Sequence, residues 1–391
     1  MSCEFQGGTD SAGGIAGILR GLGATAGECE ELLRYNENVF VMPVPAGPAP
    51  AFPLPDEPFV ACWEGWAAEA RERGAFAVLA EHLPQLRFPI REGMSATDAY
   101  RAATRRGVPP GELPDATGLA LPRPELVELT LYPSPAGRIP VLTVRGREEL
   151  VALVQALGHR NEPFPVPDSQ GALMLSGYNN WARIGLLRRE WEARNPAGAE
   201  GGWGAEFARL EPRRELYQDR FILLSDGPYS AVPAADLGLD EAAWREISLA
   251  IRRDHECAHY FTRRLFGAMR NNLLDELLAD YAGMVAAVGR FRADWFLRFL
   301  GLEDFPRLRP GGRLAIYRGK PPLSDGAFRV LQALGVDAAR NLERFDASLP
   351  PGPRSLADRA KAITALASLR LEALAAPGGE ETLERAFRDA P

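Results

Sequence analysis

The stretch Asp254-His255-Glu256-Cys257-Ala258-His259-Tyr260 constrains this chain more than any other. Two of the chain's four histidines stand four residues apart in it, around a glutamate. At about 3.6 residues per turn, the pair lies one above the other on one helix face, within reach of a single metal ion. Glu256 sits about 100° round from His255 and about 60° from His259, where its carboxylate can take a proton from a water beside that metal. His-Glu-x-x-His on a helix is a pattern that supplies two zinc ligands and a base. The flanks predict the helix. Asp240 can cap its start, Leu249, Ile251 and Tyr260 supply apolar positions, no proline falls between Asp240 and Gly267, and Gly267 can end it.

Two histidines leave a metal short of ligands. Asp275-Glu276-Leu277-Leu278-Ala279-Asp280-Tyr281 begins sixteen residues after His259, on a second apolar-periodic segment. Glu276 and Asp280 are again one turn apart, so one can bind metal while the other buttresses a histidine. Here the sequence resembles the gluzincin metallopeptidases, whose third ligand is the glutamate of an E-x-x-x-D element. The resemblance implies His255, His259 and Glu276 as zinc ligands and Glu256 as general base. It also implies Asp280 as the carboxylate that orients a histidine N–H. It covers the motif region alone, with a ligand spacing slightly shorter than in the thermolysin-like branch. The metzincin variant is excluded, because the positions that it needs as glycine and histidine are Thr262 and Leu265.

Composition narrows the setting. A length of 391 residues suffices for one large domain or two to three smaller ones. A formal net charge of −7 argues against general nucleic-acid affinity. The opening Met1-Ser2-Cys3-Glu4-Phe5-Gln6 lacks the basic and apolar regions of a signal peptide, and no apolar run reaches transmembrane length. Cys3, Cys29, Cys62 and Cys257 form no C-x-x-C pair. Free thiols in a reducing cytoplasm, with no nucleic-acid or membrane partner, are the expectation.

Along the chain, residues 1–120 read as a Pro/Gly-rich and helical region, 121–300 as the metal-binding core and 301–391 as a helical region. Pro43 to Pro58 holds seven prolines and predicts an extended surface segment. One helix is expected from Phe59 to Leu83 and another from Ser95 to Arg106. Leu126 to Tyr132 and Ile139 to Val144 alternate as a hairpin. A helix is expected from Arg147 to Leu157, then a proline-locked loop over 161–171, a helix from Arg183 to Arg194 and a flexible connection from Asn195 to Gly204. Phe221-Ile222-Leu223-Leu224 predicts a short buried strand before the metal helix. By the same resemblance, Val232 or its neighbours would pair with a substrate backbone as an edge strand. The region after Gly289 is expected to be helical, broken at Pro306–Gly312 and Pro350–Pro353.

These readings converge on an α+β fold. A zincin-like catalytic core carries a small sheet and two metal-bearing helices, flanked by mainly helical N- and C-terminal regions. The expected reaction is zinc-dependent hydrolysis of a peptide or small amide, with Glu256 as base. Tyr229, Tyr260 and Tyr281 are candidates to steady the oxyanion. Two alternatives stay open. Two histidines and a carboxylate also suit Fe2+ in a 2-oxo-acid-dependent oxygenase, and a metal can brace a non-catalytic binding protein.

Overall fold

The computed structural model describes residues 12–42, 50–196 and 202–391. The Met1–Gln6 opening with Cys3, the first half of the proline-rich segment and the middle of the 195–204 connection lie outside the described residues. Helices α1 (Ala12–Gly21) and α2 (Ala26–Tyr35) come first. Then follow α3 (Val60–Arg73), α4 (Ala75–His82), α5 (Asp98–Arg106), β1 (Val127–Ser134), β2 (Gly137–Val144) and α6 (Arg147–Leu153). After these come β3 (Ala172–Asn179), α7 (Trp181–Arg194), α8 (Gly202–Leu210) and β4 (Gln218–Ser225). The rest is helical: α9 (Glu241–Phe266), α10 (Leu273–Val288), α11 (Ala293–Leu300), α12 (Asp325–Ser348), α13 (Leu356–Ser368), α14 (Leu371–Ala375) and α15 (Gly379–Asp389). The class is therefore mixed α+β, mostly helical with one four-stranded sheet. No described helix is long and apolar enough to cross a membrane.

Two compact units emerge. One holds the described residues up to Leu54, then Ser134–Ala136 and Pro228–Pro391; the other holds Pro55–Pro133 and Gly137–Gly227. This division runs across the 121–300 region, with its strands almost wholly in the second unit and the two helices that carry the expected ligands in the first.

In the second unit the strand order is β1-β2-β4-β3. β4 lies parallel to β2, with Val141 opposite Ile222, and antiparallel to β3, with Leu173 opposite Leu223. Both of its edges are thus paired, which explains its continuous apolar run. One face packs on Trp63, Phe59 and Leu150. Three expectations need correction here. The helix expected over Phe59–Leu83 breaks at Gly74, whose φ of 86° is costly for any other residue. Strand β3 forms after the proline-locked loop, where no strand was expected, and α8 begins at Gly202, in the last three residues of the expected flexible connection.

In the first unit the expected metal helix is α9. Asp240 caps it by accepting from the N–H groups of Ala242 and Ala243, and Gly267 ends it in the left-handed region. Asn272 caps α10 by accepting from the N–H of Asp275, so the turn between the helices is closed at both ends. α10 is buried without interruption from Leu273 to Val285. Each large apolar side chain in such a run contributes about 1.5–3 kcal/mol. Val232 is not on an edge strand: it is buried, follows a 3-10 turn at Tyr229–Ala231, and its carbonyl accepts from Trp244 Nε1 at 2.8 Å. It cannot also pair with a substrate backbone there.

Helices α9 and α10 approach closely at Gly283, where an added Cβ would stand 2.5 Å from the Ile251 carbonyl oxygen. Glycine in a helix costs about 1 kcal/mol against alanine, so the gain must come from this contact. Gly283→Ala should therefore destabilise the protein by about 1–3 kcal/mol in denaturant unfolding, despite its better helix propensity. An unchanged or raised midpoint would contradict the close approach.

Candidate metal centre

His255, His259 and Glu276 face one another across the α9–α10 contact. His255 Nε2 lies 3.1 Å from His259 Nε2. Glu276 Oε2 lies 3.6 Å from the first of these nitrogens, and Oε1 lies 3.7 Å from the second. Three ligand atoms held about 2.0–2.1 Å from one tetrahedral ion stand about 3.3–3.4 Å apart, and the separations of 3.1, 3.6 and 3.7 Å here lie on either side of that spacing. Among the described residues this is the one group of three or more potential ligands close enough to hold a metal ion. His82 instead stacks on Trp66, and His159 meets Phe164 edge-on.

Each histidine is fixed from behind. Nδ1 of His255 lies 2.8 Å from Asp280 Oδ1 and 2.9 Å from the Tyr229 hydroxyl, which itself donates to Asp280 Oδ1 at 2.6 Å. Nδ1 of His259 faces Asp275 Oδ1 at 3.3 Å, without the alignment of a full hydrogen bond. Asp275 Oδ2 accepts from the backbone N–H groups of Arg270 and Asn271. With both Nδ1 atoms turned to carboxylates, both Nε2 atoms present lone pairs toward Glu276. Arg313 donates to Asp280 Oδ2 and, at 2.8 Å, to the Tyr229 hydroxyl. Tyr317 donates to Glu276 Oε2 at 2.7 Å.

The electrostatics point the same way. Asp275, Glu276 and Asp280 are buried carboxylates, and Arg313 is the guanidinium bonded into their network. With neutral histidines the cluster carries two uncompensated negative charges, which a divalent cation cancels. Without a cation, protons must serve. Burial alone would lower the pKa of His259, but the facing Asp275 carboxylate, then Glu276 and Glu256, raise it to about 10. Burial would raise the Asp280 carboxyl, but Arg313 and then His255 hold it below the usual range. Tyr229 is pushed well above the usual phenol range, mainly by burial.

Glu256 is the one residue between 254 and 262 that is not buried, and its charge acts on His259. His255, His259 and Glu276 themselves are only 5–7 % exposed. The three tyrosines named from the sequence sit apart in role. Tyr229 stands behind His255, on its Nδ1 side. The Tyr281 hydroxyl accepts from Arg354, and the fully buried Tyr260 carries Arg264 over its ring at 5.7 Å. Sequence reading missed Asp275, Arg313 and Tyr317. Asp275 was in view beside Glu276, and its spacing from His259 was the available signal. Arg313 and Tyr317 follow a proline- and glycine-rich break, and no spacing rule ties them to the motif.

The raised His259 pKa gives a pH prediction. Because it moves from 6.5 to about 10, the stability that its proton gives the metal-free fold is complete below pH 6.5 and lost as pH rises through about 10. A divalent ion must displace that proton, so zinc affinity should rise by up to about ten-fold per pH unit between about pH 7 and about pH 9. Asp275→Asn should flatten that slope. Chelator competition measures both, and a pH-independent affinity in the unmutated protein would contradict the arrangement.

No curated protein and no solved structure matches this chain. A family described only as one of unknown function (DUF7005) matches residues 17–378, nearly the whole length, and the chain belongs to that family.

Proposed function

We propose that this protein is a zinc-dependent hydrolase with a zincin-like, gluzincin-type centre, cleaving the amide bond of a peptide or small amide. The observation that carries this reading is the partly exposed Glu256 set between two buried histidines whose Nε2 atoms converge with Glu276. His255, His259 and Glu276 would hold the metal, and Asp280 and Asp275 would keep the histidines in the ligand tautomer. When bound, zinc supplies Lewis acidity toward a carbonyl and a water. Glu256 accepts the proton of the attacking water and returns it to the leaving amine.

The same donor set suits Fe2+. Glu256 separates the two chemistries, because an oxygenase needs no base at that position.

Glu256→Gln keeps size and hydrogen bonding but cannot accept the proton. The variant should retain zinc and fold while turnover falls by about 10²–10⁴. Wild type and variant would be compared on a peptide library scored by mass spectrometry. Equal cleavage by both proteins removes Glu256 from the mechanism. A product heavier by one oxygen, in place of two fragments, transfers the site to the oxygenase class.

A further inference from the structure

The two histidines are backed in different ways. Asp275, behind His259, is held by backbone N–H groups only four and five residues before it. Asp280, behind His255, is held by a side chain thirty-three residues further on, Arg313. Arg313 opens a short 3-10 turn, Arg313–Tyr317, and Tyr317 closes it. One turn therefore reaches two of the three ligand arms, through Asp280 to His255 and directly to Glu276.

The turn is itself anchored. The Tyr35 hydroxyl donates to the Tyr317 carbonyl at 2.6 Å and accepts from the N–H of Leu273, the first residue of α10, at 3.1 Å. At its entry, a Cβ on Gly312 would stand 2.5 Å from the Leu300 carbonyl oxygen, so this backbone lies hard against the end of α11. The guanidinium of Arg313 lies 5.3 Å from the centre of the Tyr229 ring and 6.0 Å from that of Tyr317. Nothing in this arrangement leaves Arg313 a free rotamer. Its two Nη atoms reach Asp280 and Tyr229, the two groups that meet His255 Nδ1.

We propose that the turn Arg313–Tyr317 is a positioning clamp for the metal centre. Arg313 acts through Asp280, holding that buried carboxylate aimed so that His255 presents Nε2. Tyr317 acts on Glu276, restraining the rotation of its carboxylate. The assignment rests on the metal-centre reading and adds to it a second, sequence-remote element without which the ligands are present but loosely held. Lysine cannot replace Arg313 fully, because a single ammonium lacks the fork that reaches Asp280 and Tyr229 together.

The test is zinc affinity of the full chain by chelator competition, with zinc alone as the probe and thermal melts of the zinc-free proteins as a fold control. Arg313→Met should weaken zinc binding by about 10–100-fold, and Arg313→Lys should recover part of the loss. In an Asp280→Asn background, Arg313→Met should change affinity by less than about two-fold, because the path to His255 is already cut. Tyr317→Phe should weaken binding independently of Asp280 and shift the visible absorption bands of the cobalt-loaded protein, which report ligand geometry. Wild-type affinity in Arg313→Met, or losses from Arg313→Met and Asp280→Asn that simply multiply, overturns the clamp while leaving the metal centre intact. If Arg313→Met does not fold, Arg313→Lys and Tyr317→Phe decide, and unchanged affinity in both overturns the clamp. Wild-type protein that takes up no zinc, or His259→Ala that binds it as tightly as wild type, overturns the metal centre and the clamp with it.

Discussion

Three acceptor groups, two imidazoles and a carboxylate, with nearest atoms 3.1–3.7 Å apart in a site only 5–7 % exposed, are the constraint on which the first unit depends. Two imidazole lone pairs and a carboxylate repel one another unless positive charge lies between them, and burial leaves little solvent to screen them. The fold keeps them together by close contact of α9 and α10 at Gly283 and by capping both ends of the connecting turn. It then surrounds them with two further carboxylates, which makes the centre still more attractive to a cation. Such an arrangement costs stability wherever no positive charge compensates it.

Much of this was legible because it is local. The four-residue spacing of His255 and His259, the cap at Asp240 and the stop at Gly267 are each settled within a turn or two of helix. The hairpin of β1 and β2 and the buried run of β4 follow from short-range periodicity in the same way. What was missed is long-range. Whether Phe221–Leu224 is an edge or a centre depends on β3, whose apolar run Ala172–Leu175 gives way to Ser176-Gly177 with a bulge between Ser176 and Tyr178 and shows no strand alternation. Arg313 and Tyr317 reach the site only through tertiary packing, and a break rich in proline and glycine gives no period by which to aim a side chain. Asp275 was passed over because Glu276 and Asp280 already accounted for the acidic cluster, although the His259 face calls for a partner as much as the His255 face does.

The chemistry open to the centre depends on a fourth coordination position. Three candidate ligands lie on α9 and α10, and the partly exposed Glu256 lies beside them. A centre that only braced two helices would instead draw a fourth ligand from the protein. Anomalous X-ray diffraction from zinc-loaded crystals tests this most directly. The account predicts one zinc peak about 2.0–2.2 Å from His255 Nε2, His259 Nε2 and a Glu276 carboxylate oxygen, with no protein atom in the fourth position. A fourth protein ligand, a peak elsewhere in the chain or no peak at all would contradict it.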